Sequence, residues 1–158
     1  MNISLLRASK EYKPIFDNLM QFYIYDFSEY IARDVETNGL FAPYPHLQNY
    51  WEEKGKFPYL IRMNDKYVGF VLVKLIESEQ RTHFSIAEFF IMRKYRRNGV
   101  GKAIAFEIFN LHKGQWEVYQ KETNKPAQMF WSKVIGEYTK GMFVERYEDG
   151  KRIQDFES

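Results

Sequence analysis

Cysteine is absent from all 158 residues. Its absence excludes disulfide frameworks, thiolate metal sites and any covalent acyl-cysteine intermediate. Histidine is scarce: His46, His83 and His112 have no spacing that suits a metal and read as ordinary surface or hydrogen-bonded residues. Long apolar runs are also lacking. The longest, around Val68 to Ile76, is interrupted by Lys74 and is far too short to span a bilayer. No N-terminal stretch has the apolar character of a secretion signal, so a cytoplasmic protein with no membrane partner is expected. Neither sign of charge dominates, and a formal charge of +2 is too small to make nucleic acid the principal partner. What the chain has in quantity is apolar and aromatic residues, 45% and 18%. That is enough for one sizeable core, and a single domain over residues 1–158 is the economical expectation.

The periodicity alternates between strands and helices without repeats. Ile3 to Ala8 reads as a strand. Tyr12 to Phe27 reads as a helix, with Pro14 in its first turn and Ile15, Leu19, Met20 and Tyr23 on one apolar face. Asn38 to Pro45 is turn-rich, and His46 to Lys54 has the pattern of a short helix; together they form a candidate substrate lid. Phe57 to Met63, Tyr67 to Glu77 and Thr82 to Met92 read as neighbouring antiparallel strands. Beyond them the pattern predicts a helix over Val100 to Lys113, a strand over Gln115 to Tyr119 and a helix over Pro126 to Ile135. Two terminal strands, Met142 to Tyr147 and Lys151 to Phe156, turn at Glu148-Asp149-Gly150.

The most informative segment is Arg96-Arg97-Asn98-Gly99-Val100-Gly101-Lys102, which lies between the apolar run Ile86 to Met92 and an amphipathic helix. A tight basic turn at a helix start presents unpaired backbone N–H groups at the positive end of the helix dipole, which suits a polyphosphate. Two familiar phosphate loops fail on spacing. A Walker loop would need glycine at Arg96 and a hydroxyl residue at Ala103, and a dinucleotide fingerprint would need a third glycine at Ile104.

What remains, Arg-x-x-Gly-x-Gly after an apolar strand, resembles the acetyl-coenzyme A loop of the GNAT superfamily of N-acetyltransferases. A second motif strengthens the resemblance. Asn124-Lys125-Pro126-Ala127-Gln128-Met129-Phe130-Trp131 is similar to the superfamily's Asn-x-x-Ala-x-x-aromatic-aromatic pattern at a helix start. From Gly114 to Ile135 the chain looks like a bacterial branch of predicted acetyltransferases. The resemblance covers Tyr67 to Glu145 best and implies an α/β (α+β) fold: a mixed, strongly twisted sheet of about six to seven strands flanked by about four helices.

The resemblance also implies the site. Arg96, Arg97, Asn98, Gly99, Val100, Gly101 and Lys102 would meet the pyrophosphate of acetyl-CoA, mostly through backbone N–H groups. Lys94, Arg97 and Lys102 would add charge. Phe90, Ile91 and Met92 would run beside the pantetheine arm as an added strand pairs with its neighbour. Asn124 would either meet the cofactor or cap the following helix, and Phe130 and Trp131 would line the coenzyme channel or pack in the core. No metal is implied.

The resemblance implies direct attack of a primary amine on the acetyl thioester within a ternary complex, and the lack of cysteine is consistent with that route. An alkylamine with a pKa of roughly 10 must first lose a proton, so a carboxylate base is needed. Glu88 is the candidate, an acid within an otherwise apolar strand, and burial there is expected to raise its pKa. Many relatives place tyrosine where this chain has Trp131, and an indole N–H is no acid at neutral pH. Tyr119 and Tyr138 are the substitutes as general acid, with water as the alternative. Asp26, Glu29, Asp34, Glu36, Glu52 and Glu53, interleaved with Tyr23, Tyr25, Tyr30, Tyr44 and Trp51, make the presumed acceptor side acid-rich. That suits a small cationic amine slightly better than a peptide amine.

The identity of the acceptor, the length of the acyl group and a homodimeric state stay open. Two other readings compete. The fold could bind acyl-CoA as a non-catalytic sensor or partner module, or the cluster Arg93-Lys94-Tyr95-Arg96-Arg97 could bind RNA through charge and one stacking aromatic.

Overall fold

Two tight turns decide where the sheet doubles back. Asn64 and Asp65, both left-handed at φ 49 and 65, join β2 (Lys56–Met63) to β3 (Lys66–Glu77). Asp149 and Gly150, at φ 51 and 72, join β6 (Val144–Glu148) to β7 (Lys151–Glu157). Positive φ at both central positions is the turn geometry whose twist matches that of paired strands. In the computed structural model, which describes residues 2–158, these hairpins belong to one seven-stranded sheet of order β1-β2-β3-β4-β5-β7-β6, with β1 at Ile3–Arg7, β4 at Thr82–Ile91 and β5 at Gln115–Lys121. β1–β2, β5–β7 and β6–β7 are antiparallel, whereas β4 and β5 run parallel around Phe84↔Trp116. The sheet is therefore mixed, as expected, and four α-helices accompany it: α1 (Lys13–Phe27), α2 (Asn49–Glu52), α3 (Val100–Leu111) and α4 (Lys125–Thr139).

The chain falls into two compact units that each take two stretches of sequence. The first is Met1–Leu72 with Glu88–Arg96; the second is Val73–Ala87 with Arg97–Ser158.

In the first unit, α1 starts at a proline in its opening turn and buries Phe16, Leu19, Met20 and Ile24. The buried face is turned slightly from the one the periodicity predicts, so Ile15 and Tyr23 are half-buried at its rim. Tyr23, Phe70 and Phe90 form an aromatic triangle with ring centroids 5.6, 5.6 and 5.7 Å apart. Each such pair contributes about 0.5–1.5 kcal/mol beyond the area it buries. Beside it, β3 and β4 approach so closely that a Cβ on Gly69 would lie 1.9 Å from the Phe90 carbonyl oxygen. Glycine is required there for space. The expected helix over His46 to Lys54 shrinks to the single turn of α2, because His46 is held left-handed at φ 59 and Glu53 is extended.

In the second unit the core centres on Trp116, which is fully buried and packs against Phe84, Phe109 and Phe156. Its indole N–H donates to the His112 carbonyl at 2.9 Å. α4 runs to Thr139, past the expected end at Ile135, since Gly136 is tolerated inside the helix. The true stop is left-handed Lys140 followed by Gly141, whose N–H returns to the Gly136 carbonyl at 2.8 Å. His83 and His112 are buried rather than on the surface, at 9% and 8% exposure. Among the described residues the Nδ1 of His83 has no hydrogen-bond partner.

Candidate active site

Within the first unit, three side chains from separate elements converge on one carboxylate. Glu88 is half-buried near the end of β4. Tyr23 of α1 donates its hydroxyl to one carboxylate oxygen, and Tyr44, from the turn-rich segment before α2, donates to the other at 3.1 Å. The two phenol donors hold the carboxylate from both sides. The segment carrying Tyr44 is also tied to α1: Gln21 donates to the Phe41 carbonyl at 3.0 Å and accepts from its N–H at 2.9 Å. The sequence placed Tyr23 and Tyr44 among acceptor-side aromatics but had no signal for their hydroxyls meeting Glu88. Contacts between residues 44 and 65 positions apart leave no local pattern.

Asp26, counted above among acids facing the acceptor, is committed elsewhere. Its carboxylate accepts from both Arg93 and Arg96. At the end of β4, Phe90 and Ile91 are buried and Met92 is half-buried, and the Met92 N–H donates to the Val68 carbonyl at 2.8 Å.

The second unit begins with the turn. Arg97 is left-handed at φ 64 and Gly99 at φ 77, and α3 starts at Val100. The first helical bond runs from the Ala103 N–H to the Gly99 carbonyl at 3.0 Å, so the N–H groups of Val100, Gly101 and Lys102 have no acceptor within the helix. Nothing lies within 4 Å of the place a Gly99 Cβ would take. The glycine is needed for its backbone conformation, and the space before it is open. Asn98 is exposed in the same turn. A positive helix end with free N–H groups and open space fits a pyrophosphate. Lys102 is shared: its ammonium pairs with Glu137 of α4, and that hydrogen bond holds the Glu137 carboxyl below the usual range.

The other motif residues take structural positions. The Asn124 side chain accepts from the Ala127 N–H at 3.2 Å and caps α4. Phe130 is half-buried edge-on to Trp131, and Trp131, 6% exposed, packs towards Phe109 of α3. Tyr138 lies in the last turn of α4, not beyond it. Its hydroxyl donates to Asn110 at 2.9 Å and accepts from Lys113, at the end of α3 about 15 Å along the axis from the turn. Tyr119 is on the face of β5 shared with Glu117, with the Lys151 ammonium 4.4 Å above its ring, in a polar pocket of about 150 Å³. The structure thus brings Glu88 together with Tyr23 and Tyr44, and holds Tyr138 at the opposite end of α3 from the turn at Gly99. No group of residues able to hold a metal ion occurs among the described residues, and none of their helices is long and apolar enough to cross a membrane.

Comparison with known proteins agrees with this architecture. Residues 17–136 match the model of the acetyltransferase (GNAT) family. No curated protein sequence matches the chain. Solved structures similar in fold include the PaiA N-acetyltransferase of Thermoplasma acidophilum in complex with coenzyme A, with TM-score 0.71, 14% identity and 100% of both chains covered. Arabidopsis thaliana NAA60 with a bisubstrate analogue has TM-score 0.64 at 14% identity, covering 99% of this chain and 98% of that one. An aminoglycoside acetyltransferase from an uncultured soil metagenomic sample, in complex with sisomicin, has TM-score 0.63 at 15% identity, covering 84% and 86%. With most of its length matched by the family model, and with the glycine turn opening α3 in a mixed seven-stranded sheet, the chain belongs to the GNAT family of acetyltransferases.

Proposed function

We propose that this protein transfers an acetyl group from acetyl-CoA to a primary amine by direct attack in a ternary complex, with Glu88 as the base. The observation that carries this reading is the half-buried Glu88 carboxylate held by two tyrosine hydroxyls. The acetyl thioester supplies the electrophilic carbonyl carbon. The N–H groups at the start of α3, with Gly99 left-handed before them, are suited to hold the pyrophosphate. Glu88 takes one proton from the acceptor ammonium, directly or through a water, leaving a nitrogen lone pair free to form the new bond. The departing sulfur needs no strong acid, since a thiol with a pKa of roughly 8.5 is protonated by water at neutral pH at small cost. That suits Trp131 in place of a tyrosine. Among the similar folds, one is named as an N-acetyltransferase and one as an aminoglycoside acetyltransferase, which supports an amine acceptor.

The test has two stages. Calorimetric titration with acetyl-CoA should show binding that a Gly99→Glu variant loses, since a side chain there is strained at φ 77 and would fill the open space. Thiol release from acetyl-CoA should then rise with one or more amines from a panel of polyamines, aminoglycosides and peptides with free N-termini. Binding without any amine-dependent release would assign the chain as an acyl-CoA-binding module instead.

A further inference from the structure

Four basic side chains, Arg93, Lys94, Arg96 and Arg97, precede the glycine turn. The simplest expectation for an anion site is that they face the anion. Two of them pair instead with a carboxylate, Asp26. Arg93 donates through Nε to Asp26 Oδ1 at 2.8 Å, and one of its terminal nitrogens lies 2.7 Å from the same oxygen. Arg96 pairs with the second carboxylate oxygen of Asp26 and donates through Nε to the Ile91 carbonyl at 2.6 Å. Its guanidinium lies 5.8 Å from the centre of the Phe90 ring. The Asp26 side chain is 18% exposed while both arginines reach it from the solvent side, so the carboxylate is the better-shielded member of each pair and charge assistance strengthens both bonds. One carboxylate therefore fixes the middle and the end of the segment 91–96, and Arg96 ties that end back to the segment's first carbonyl.

We propose that Asp26 is a positioning residue for the phosphate turn. Through Arg93 and Arg96 it holds residues 91–96 in the backbone course that leads into the turn, and Arg96 acts as a bracket rather than as a phosphate ligand. This inference rests on the acyl-CoA reading of the turn. Charge and positioning make opposite demands on Asp26. As a charge, the aspartate occupies two guanidiniums that could otherwise meet phosphate, so its removal tightens binding. As a positioner, its removal loosens the segment and weakens binding. The sign of the change separates the two.

The experiment titrates the full-length protein with coenzyme A by calorimetry and, by ligand-observed NMR, with S-acetylpantetheine, which lacks the pyrophosphate. Asp26→Asn is expected to bind coenzyme A about tenfold more weakly, the loss that follows from charge-assisted hydrogen bonds becoming neutral ones. Its affinity for S-acetylpantetheine stays within about twofold of the unsubstituted protein, because Met92 at the end of the pantetheine strand stays bonded to the Val68 carbonyl and the loss falls mainly on the pyrophosphate contacts. Asp26→Glu regains part of the coenzyme A affinity. Equal or tighter binding of coenzyme A by Asp26→Asn overturns the proposal, and so does a parallel loss of both ligands, which marks a general weakening of the fold. If Asp26→Asn does not fold, Arg96→Lys carries the same test, since it keeps the charge but lacks the planar fork; unchanged coenzyme A affinity in that variant overturns the bracket. Failure of the unsubstituted protein to bind coenzyme A overturns the acyl-CoA reading itself and the proposal with it.

Discussion

The Tyr23 hydroxyl donates to Glu88 across 65 residues of sequence, joining the middle of α1 to the end of β4. With Tyr44 on the other carboxylate oxygen, Glu88 is fixed from two sides. Fixed geometry is what a general base needs, because proton transfer falls off steeply with misplacement.

Substitution should therefore grade the contributions. Glu88→Gln is expected to lower amine-dependent turnover about a hundredfold or more, the usual scale of a general base, with the acetyl-CoA dissociation constant unchanged. Tyr23→Phe removes one hydrogen bond to a charged group and is expected to cost about tenfold in turnover. Steady-state kinetics beside calorimetry separate the two quantities. Wild-type turnover in Glu88→Gln would remove Glu88 from the mechanism.

Gly69 makes a different kind of prediction. A Cβ placed there would meet the Phe90 carbonyl oxygen at 1.9 Å, and backbone cannot swing aside as a side chain can. Gly69→Ala should destabilise the protein by about 3 kcal/mol, at the upper end of the cost of overpacking. It should also weaken acetyl-CoA binding, because the displaced strand end is the one that leads into residues 91–96. Urea denaturation and ligand titration of the same variant would check both effects, and a stability within error of the parent would show that the strands have room to part.

Two groups should make the fold acid-sensitive in separate windows. Burial first, and then Arg81, holds the His83 imidazole below its usual 6.5, with Lys74 and Arg146 adding to this and Glu117 opposing it. The unfolded chain thus binds the proton more readily, so the contribution is complete above about pH 6.5 and is lost as the pH falls through the lower folded value. Glu145 follows at lower pH. Its carboxylate is bonded bidentately by Arg152 and also accepts from Gln154 and Ser132, which holds it below 4.5 against the effect of burial. That stability is complete above the unfolded value and lost as the pH falls through the folded one. In denaturation curves taken across pH, His83→Gln should flatten the slope just below pH 6.5, and Glu145→Gln should flatten it below about pH 4.5. Parental slopes in both variants would exclude the two groups as the source.

Much of the fold could be read from local pattern, since each hairpin carries its own turn residues and α1 carries its proline and apolar spacing. The helix ends were less legible. Gly136 looks like a stop and is not one, because the competing signal at Lys140 and Gly141 closes the helix with two backbone bonds. The glycine turn that opens α3 was legible because its residues are contiguous. The Glu88 constellation and the Asp26 bracket were not, because each joins elements tens of residues apart. Asn124 was read from the sequence as a cofactor contact or a helix cap, and its side chain caps α4.

The interleaving of the two units bears on how the chain is made. Residues Met1–Leu72 are synthesised first but lack Glu88–Arg96, so the first unit cannot close until a stretch of the second has already been translated. Nearly two thirds of the chain must leave the ribosome before β4 can complete the neighbourhood of α1. Contacts of such long sequence separation form slowly. In the interval the edge of β3 that β4 later covers is unpaired, the condition under which nascent chains associate with one another. A break after residue 72 would leave the first unit without Glu88–Arg96, and a break after residue 96 would leave the second without Val73–Ala87, so neither cut yields two complete halves.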